Sequence, residues 1–300
     1  MIEFKQGNLL EEKAEALVNT VNCVGVMGKG IALQFKRAYP ENFREYEKAC
    51  KAKQVQPGKM FTFPTGNLFN PKYIINFPTK RHWKGKSKIE DVSQGLMALV
   101  AEVQHLEITS IAIPPLGCGN GGLDWNLVKP MIESAFAQLP NIRVIIYEPS
   151  GAPSAESMPV AIDLPNMTRA RALFISVLEA YGILGYELTK LEVQKLAYFL
   201  QQAGEPLKLK YTKHIYGPYA NNLNHVLKNI EGHYIRGYGD GTGKGEIHVL
   251  PEGRTAAQAF LETEAEAQER LQRVSNLIYG FETPYGMELL ATVHWVAHFE

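Results

Sequence analysis

The 300-residue sequence predicts an α/β fold, with a mixed sheet in an α/β/α sandwich, followed by a mainly helical α+β domain. Three observations lead to this prediction. Apolar strand-like blocks alternate with helical patterns in the first half of the chain. Two glycine-rich loops, Val24–Gly30 and Gly117–Gly122, each follow a strand pattern and open a helical one. After a stretch rich in Pro, Ser and Ala, the pattern becomes mainly helical.

Length and charge indicate two domains. We expect the first at residues 1–150, a linker at 151–165 and the second at 166–300. Residues 1–150 carry 18 Lys and Arg against 14 Asp and Glu, whereas residues 151–300 carry 13 against 17. The formal net charge of zero therefore divides into +4 and −4.

Composition also predicts the compartment. The three cysteines, Cys23, Cys50 and Cys118, form no CxxC pattern, which argues against a disulfide framework and against zinc. No apolar run approaches the roughly 18 residues of a membrane span, and the first residues carry no export signal. We expect a cytoplasmic protein with no membrane partner, no cofactor and no metal.

The elements of the first domain follow from their apolar periods. The continuous block at 16–21 predicts a buried strand, Pro40 ends the first helix, and Pro114 and Pro115 end the strand before the second glycine loop. The predicted strands cover 2–4, 16–21, 59–63, 73–77, 108–113 and 142–147, and the predicted helices cover 31–38, 43–53, 89–106 and 125–139.

The second domain reads as helices with little sheet. A helical face that includes Leu184, a short strand at 207–211 and a glycine-rich hairpin tip at 237–245 are predicted. No C-cap signal follows the last pattern, which allows the native chain to be longer. The predicted helices cover 166–184, 191–202, a segment ending near 232, 255–277 and 287–299.

The two glycine loops have the outline of a phosphate cradle. Glycine lets the backbone lie close to a ligand with its N–H groups exposed, and a helix N-terminus attracts anions. The alternative is a pair of glycine-rich connections that bind nothing. The cradle residues would be Gly28, Lys29 and Gly30 in the first loop, and Gly117, Cys118, Gly119, Asn120, Gly121 and Gly122 in the second.

Three motifs in order carry a family resemblance over residues 1–148: Gly7-Asn8-Leu9, LVNTVNC with VGVMGKGIA, and PPLGCGNGG. Together they resemble a macrodomain, the ADP-ribose-binding fold. The segment INFPTKR at 75–81 resembles the branch of DNA ADP-ribosyl glycohydrolase antitoxins of DarT/DarG pairs. The resemblance implies that Asn8 and Leu9 lie at the adenine end, although many macrodomains have Asp where this chain has Asn8, whose amide oxygen can still accept.

Two side chains are predicted to be catalytic from this resemblance. From the residues alone, Lys80 begins a basic run that continues to Lys88, and such runs are usually solvated. The resemblance instead places Lys80 at the active site as nucleophile, base or charge stabiliser. Asn22 would contact the distal ribose, with an Asx turn as its alternative. Asp124 can pair with Lys80 or serve as a first-turn residue of the next helix.

The basic run is also a candidate DNA contact. His82 and Trp83 are interleaved with Arg81 and Lys84, and unpaired bases stack on aromatic rings while cations track phosphates. A buried Trp83 that anchors the loop is the alternative. Cys118 has no histidine near it in the motif, so we expect it to pack rather than react.

The segments KLAYFLQ and YGPYANNL, within about 187–232, resemble the antitoxin module of SocA-like proteins. With no catalytic triad or carboxylate pair in this half, the sequence indicates an interaction domain. The resemblances imply an antitoxin that removes ADP-ribose from thymidine bases of single-stranded DNA, releases ADP-ribose as product, and binds its cognate DarT-type toxin. A Glu-rich helix could complement a basic toxin, or be a solvated face. A non-catalytic ADP-ribose reader and a hydrolase of protein esters are the competing functions.

Overall fold

The computed structural model describes residues 1–182, 188–243 and 245–300. The chain forms two compact units. The first contains residues 1–153 and 157–162, and the second contains residues 154–156 and 163–300. No helix among the described residues has both the length and the apolarity that a bilayer crossing requires.

The first unit holds a six-stranded sheet in which β3 runs antiparallel to β4 and all other neighbours are parallel. The order across the sheet is β1, β6, β5, β2, β4, β3. The strands are β1 (Ile2–Lys5), β2 (Ala16–Asn22), β3 (Phe61–Pro64), β4 (Tyr73–Lys80), β5 (Ser110–Ile113) and β6 (Arg143–Tyr147). The helices are α1 (Gly30–Ala38), α2 (Pro40–Lys51), α3 (Ile89–His105) and α4 (Trp125–Phe136).

Apolar residues cover both faces of this sheet. Val18 and Ile75 project into one core, which contains Val92 of α3 and Val128 of α4. The next residues along the strands point the other way, so that Leu17 lies in a second core with Phe35 of α1 and Ile74 of β4. The predicted α/β/α sandwich is therefore confirmed.

The parallel strands bring the functional loops to one edge. The carboxyl ends of β2, β4 and β5 lie together, and ligands in such sheets bind beyond those ends. The strand predicted at 73–77 continues to Lys80, since its pairing with β2 extends that far, and residues 74–79 are all buried. Lys80 therefore lies on the strand, paired in register with Asn22, and not just beyond it.

Two boundary predictions needed adjustment in this unit. Pro40 does more than end α1, because it is also the first residue of α2, a position that tolerates its missing N–H. Residues 157–162, predicted to be linker, pack with the first unit. Asn8 Nδ2 donates to the Ser157 carbonyl over 2.7 Å, Ala161 N–H donates to the Arg37 carbonyl over 2.8 Å, and Met158 is buried.

The second unit is mainly helical around one apolar core. Its helices are α5 (Arg169–Gly182), α6 (Lys190–Gln202), α7 (Leu223–Ile230), α8 (Pro251–Leu261), α9 (Ala265–Ile278) and α10 (Pro284–Phe299). Two short antiparallel pairs join β7 (Tyr211–Thr212) to β8 (Tyr219–Ala220) and β9 (Ile235–Arg236) to β10 (His248–Val249). The β9–β10 pair confirms the hairpin predicted around 237–245, although Lys244 lies outside the described residues.

The structure of this unit differs from two predictions, and a third falls outside the described residues. The helix predicted at 255–277 is two helices, α8 and α9, and the Leu261 carbonyl at the end of the first one accepts from the Gln268 side chain over 2.6 Å. The strand predicted at 207–211 begins only at Tyr211, since Lys208 has a φ of 55°, incompatible with an extended strand. Leu184 of the first predicted helix lies outside the described residues.

Candidate active site at the glycine loops

The side chain of Lys80 reaches the second glycine loop. Its ammonium group donates a hydrogen bond to the carbonyl oxygen of Asn120. Partial burial lowers the pKa of the Lys80 ammonium, since removing water disfavours the charged form. The structure thus joins the predicted catalytic lysine to the predicted phosphate cradle.

The second glycine loop presents unused backbone donors. In the part of the chain that the structure describes, the N–H groups of Gly119, Asn120 and Gly121 donate to no acceptor. The loop is closed around them by bonds from Cys118 N–H to the Pro115 carbonyl and from Leu123 N–H to the Gly117 carbonyl, both 3.1 Å long. Consecutive free amides of this kind form an anion-binding concavity.

The glycines of this loop differ in whether the structure would tolerate a side chain at their positions. Gly117 has a φ of 72°, a left-handed conformation that favours glycine. A Cβ on Gly121 would lie 2.2 Å from the Gly117 carbonyl oxygen, which is too close for any side chain. Gly119 has no such restriction, because a Cβ there would meet no atom within 4 Å. The backbone at Gly119 is therefore open to the approach of a ligand.

The first glycine loop is shaped by Asn22. Its Oδ1 accepts from the N–H groups of Val24 and Val26 over 3.0 and 3.3 Å, and its Nδ2 donates to the Val26 carbonyl over 2.5 Å. The hydroxyl of Tyr46, which the sequence reading missed, donates to the Asn22 carbonyl over 2.6 Å. In this structure Asn22 thus makes the Asx-type contacts that were its alternative role, at the mouth of the site.

The start of α1 completes the first loop. Gly30 is its first residue, with a φ of 62°, and follows Gly28 and the exposed Lys29. No side chain among the described residues caps this helix N-terminus. The first-turn amides of α1 and the Lys29 ammonium are consequently available to an anionic group.

Asp124 and Cys118 make the contacts of their alternative, structural roles. The Asp124 carboxylate caps α4, where it accepts from the N–H and the Nδ2 of Asn126 over 2.9 and 3.1 Å. Cys118 Sγ donates to the Leu116 carbonyl over 3.5 Å, and burial raises the pKa of its thiol to about 11. The Lys80 ammonium bonds to a backbone carbonyl rather than to Asp124.

At the expected adenine end, Asn8 is already engaged. Its Oδ1 accepts from Leu10 N–H over 3.1 Å, while its Nδ2 donates to Ser157. Leu9 is buried in the core beside it. The Asn8 amide oxygen has one lone pair left with which to accept from an adenine amino group.

The basic run from Arg81 is ordered by specific contacts. The Arg81 guanidinium donates to both oxygens of the buried Asp91 over 3.0 and 3.2 Å. His82 and Trp83 are stacked, with ring centroids 5.6 Å apart, and Lys84 Nζ lies 5.1 Å from the Trp83 ring. Trp83 is 48% exposed, which excludes the buried-anchor alternative.

The contacts of two polar residues in this region were not predicted from the sequence. Asp91 sits in the first turn of α3, where an acidic residue is ordinary and gives no functional signal. Ser87 N–H donates to the Gly121 carbonyl over 3.0 Å. A serine at the end of a lysine-rich run carries no sequence pattern from which that contact could be inferred.

The chain is similar to known proteins of one family. Residues 18–132 match the Macro domain family. The whole chain is 51% identical, over 300 residues and 83% of the relative, to a DNA ADP-ribosyl glycohydrolase of Thermus aquaticus. It is 34% identical over 163 residues, 49% of this chain and 42% of the relative, to a DNA ADP-ribosyl transferase–DNA ADP-ribosyl glycohydrolase fusion protein of Thermosipho africanus.

A solved structure agrees with the first unit. The macrodomain of Mycobacterium tuberculosis DarG is 59% identical, covers 50% of this chain and 99% of its own, and superposes with a TM-score of 0.50. The matched region is thus about half of the chain, whereas the Thermus relative extends over both units.

Proposed function

The chain belongs to the family of DNA ADP-ribosyl glycohydrolases, and from this we propose that it hydrolyses the bond between ADP-ribose and a thymidine base of single-stranded DNA. The observation that carries the proposal is the contact of the partly desolvated Lys80 ammonium with the loop that presents three free amides. A diphosphate held by those amides would bring the distal ribose to the lysine.

The amides and the lysine have separate tasks in this proposal. The N–H groups at 119–121 and the start of α1 bind the diphosphate of ADP-ribose in the ground state. In the reaction, the bond from the anomeric carbon to the base nitrogen breaks, water supplies the hydroxyl of the released ADP-ribose, and a proton returns to the base. We assign the free amine of Lys80 to this hydrolysis, because burial lowers the pKa of its ammonium group and so favours the uncharged form.

The stacked His82 and Trp83 would hold the DNA. Both rings lie within three residues of Lys80, and Trp83 offers an exposed face on which an unpaired base can stack. Lys84 beside the ring can contact a phosphate. Two N–H groups of Arg81 donate to Asp91, so Arg81 can contact DNA only through its remaining N–H groups.

The second unit would bind the cognate DarT-type toxin. This follows from the antitoxin resemblance of its sequence, and the Thermosipho relative carries a transferase and a glycohydrolase in one chain. Glu262 and Glu269 are exposed and can attract a basic surface. Glu266, in contrast, is paired with Arg169 and Arg270. We place the protein in the cytoplasm, where chromosomal DNA would be its substrate.

The decisive assay uses two substrates. ADP-ribosylated single-stranded DNA and an ADP-ribosylated acidic protein are each incubated with the wild-type chain, with Lys80→Ala and with Lys59→Ala, which removes an exposed lysine outside the site. We expect the wild type and Lys59→Ala to release ADP-ribose from DNA, and Lys80→Ala to bind free ADP-ribose within a few fold but to release none.

Other outcomes would assign a different function. Release from the protein alone would make the chain an ester hydrolase. Tight ADP-ribose binding with no release from either substrate would make it a non-catalytic reader. Wild-type turnover by Lys80→Ala would remove this lysine from the mechanism.

A further inference from the structure

The segment 80–88, which begins at the last residue of β4 and leads to α3, contacts the second glycine loop near both of its ends. At the first end, the Lys80 ammonium donates to the Asn120 carbonyl oxygen. At the second, Ser87 N–H donates to the Gly121 carbonyl oxygen over 3.0 Å. The position of the loop is therefore set by this segment as well as by the loop's own turns.

The side chain of Ser87 lies against two glycines of the loop. A Cβ on Gly121 would be 2.2 Å from Ser87 Oγ, and a Cβ on Gly117 would be 3.0 Å from Ser87 Cβ. Both distances are shorter than ordinary carbon contacts, so Ser87 occupies the space that side chains at these positions would need. Its hydroxyl consequently faces the backbone that carries the three free amides.

The Ser87 hydroxyl is buried and unpaired. Ser87 is 8% exposed, and its Oγ finds no hydrogen-bond partner among the residues that the structure describes. An unmade hydrogen bond of a buried hydroxyl is unfavourable, so a loop movement that supplies a partner is favoured. The Gly117 carbonyl oxygen is the neighbouring acceptor, since it also lies 2.2 Å from the Cβ position on Gly121.

We propose that Ser87 is a positioning residue for the second glycine loop. When the loop closes on a diphosphate, the hydroxyl donates to the Gly117 carbonyl oxygen, which has a lone pair left after accepting from Leu123 N–H. This bond holds the amides at 119–121 toward the phosphate oxygens. The inference rests on the proposed function, because it assigns the diphosphate of ADP-ribose to this loop.

The test compares Ser87→Ala with Ser93→Ala, which removes an exposed hydroxyl from α3. Thermal unfolding, calorimetry with ADP-ribose, and kcat and KM on ADP-ribosylated single-stranded DNA are measured on the full chain. We expect Ser87→Ala to keep or raise the ligand-free Tm, since an unpaired hydroxyl is removed. Its Kd for ADP-ribose should rise about three- to tenfold, as expected for one hydrogen bond.

The kinetic result should separate binding from chemistry. KM for Ser87→Ala should rise by a similar factor while kcat stays within about twofold, because the amides hold the phosphates equally in ground and transition states. Ser93→Ala should match the wild type throughout. A wild-type Kd and KM in Ser87→Ala would overturn the inference, and so would a lower ligand-free Tm with an unchanged Kd. If the wild type failed to release ADP-ribose from DNA but Ser87→Ala still weakened binding, the proposed function would fall and this inference would stand.

Discussion

A glutamate at position 119 should block ADP-ribose binding while leaving the first unit folded. Gly119 has no left-handed φ, and nothing lies within 4 Å of where its Cβ would be. A side chain can therefore be added without a clash. The N–H of Gly119 is one of the three free amides, so the new carboxylate would stand where the diphosphate needs bare backbone.

The expected size of the effect follows from Coulomb's law. A carboxylate about 6 Å from one phosphate charge, at an effective dielectric constant of about 20, costs roughly 3 kcal/mol. That corresponds to a Kd about 100-fold higher. The second phosphate adds to the repulsion and salt reduces it, so we expect the affinity for ADP-ribose to fall by about two orders of magnitude.

Gly119→Gln separates charge from volume, because glutamine has nearly the shape of glutamate. Calorimetry with ADP-ribose on the wild type, Gly119→Glu, Gly119→Gln and Gly119→Ala should give a small loss for alanine, an intermediate one for glutamine and the full loss for glutamate. The gap between Glu and Gln should narrow as salt is added. Unchanged affinity in a Gly119→Glu chain with a wild-type Tm would mean that the phosphate cradle lies elsewhere.

Three further outcomes are expected. Burial lowers the pKa of Lys80 below its usual 10.5, so kcat should rise with pH and the midpoint of that rise should lie below this value, whereas a fall in kcat would make the ammonium the active form. Trp83→Ala should raise KM for ADP-ribosylated DNA and leave calorimetric ADP-ribose affinity unchanged. Reversing Glu262 and Glu269 to Lys should slow toxin association in a surface-binding assay, and indifference of the rate to both salt and charge would contradict it.

The sheet and both glycine loops could be predicted because their signals are local. A strand buried on both faces is typically a continuous apolar block, and β6 has that composition. Parallel strands joined through helices place their carboxyl ends on one edge, which brings Val24–Gly30 and Gly117–Gly122 together. The one boundary that mattered, the end of β4 at Lys80, was missed because Pro78 and the polar Thr79 resemble a strand end.

The detailed contacts of the site could not be predicted, because each joins residues far apart in the chain. The bond from Lys80 to the Asn120 carbonyl, the pair of Arg81 with Asp91 and the position of Ser87 against Gly121 have no local period. The sequence predicts two alternative roles each for Asn22 and Asp124 and does not choose between them. Both residues cap or shape their own loops in the structure.

In the acidic second half, the net charge overstates how strongly the surface can attract a basic partner, because some carboxylates are paired within the unit. The sequence assigns it a net charge of −4 and places several glutamates in one helical stretch. In the structure, Glu266 bonds to Arg169 and Arg270, and the buried Glu205 bonds to the same two arginines. A carboxylate neutralised inside its own domain contributes little to the field that a partner meets. Any attraction for a basic toxin would therefore have to come from exposed carboxylates outside this network. Reversing the charge of Glu266 would perturb the fold more than toxin association.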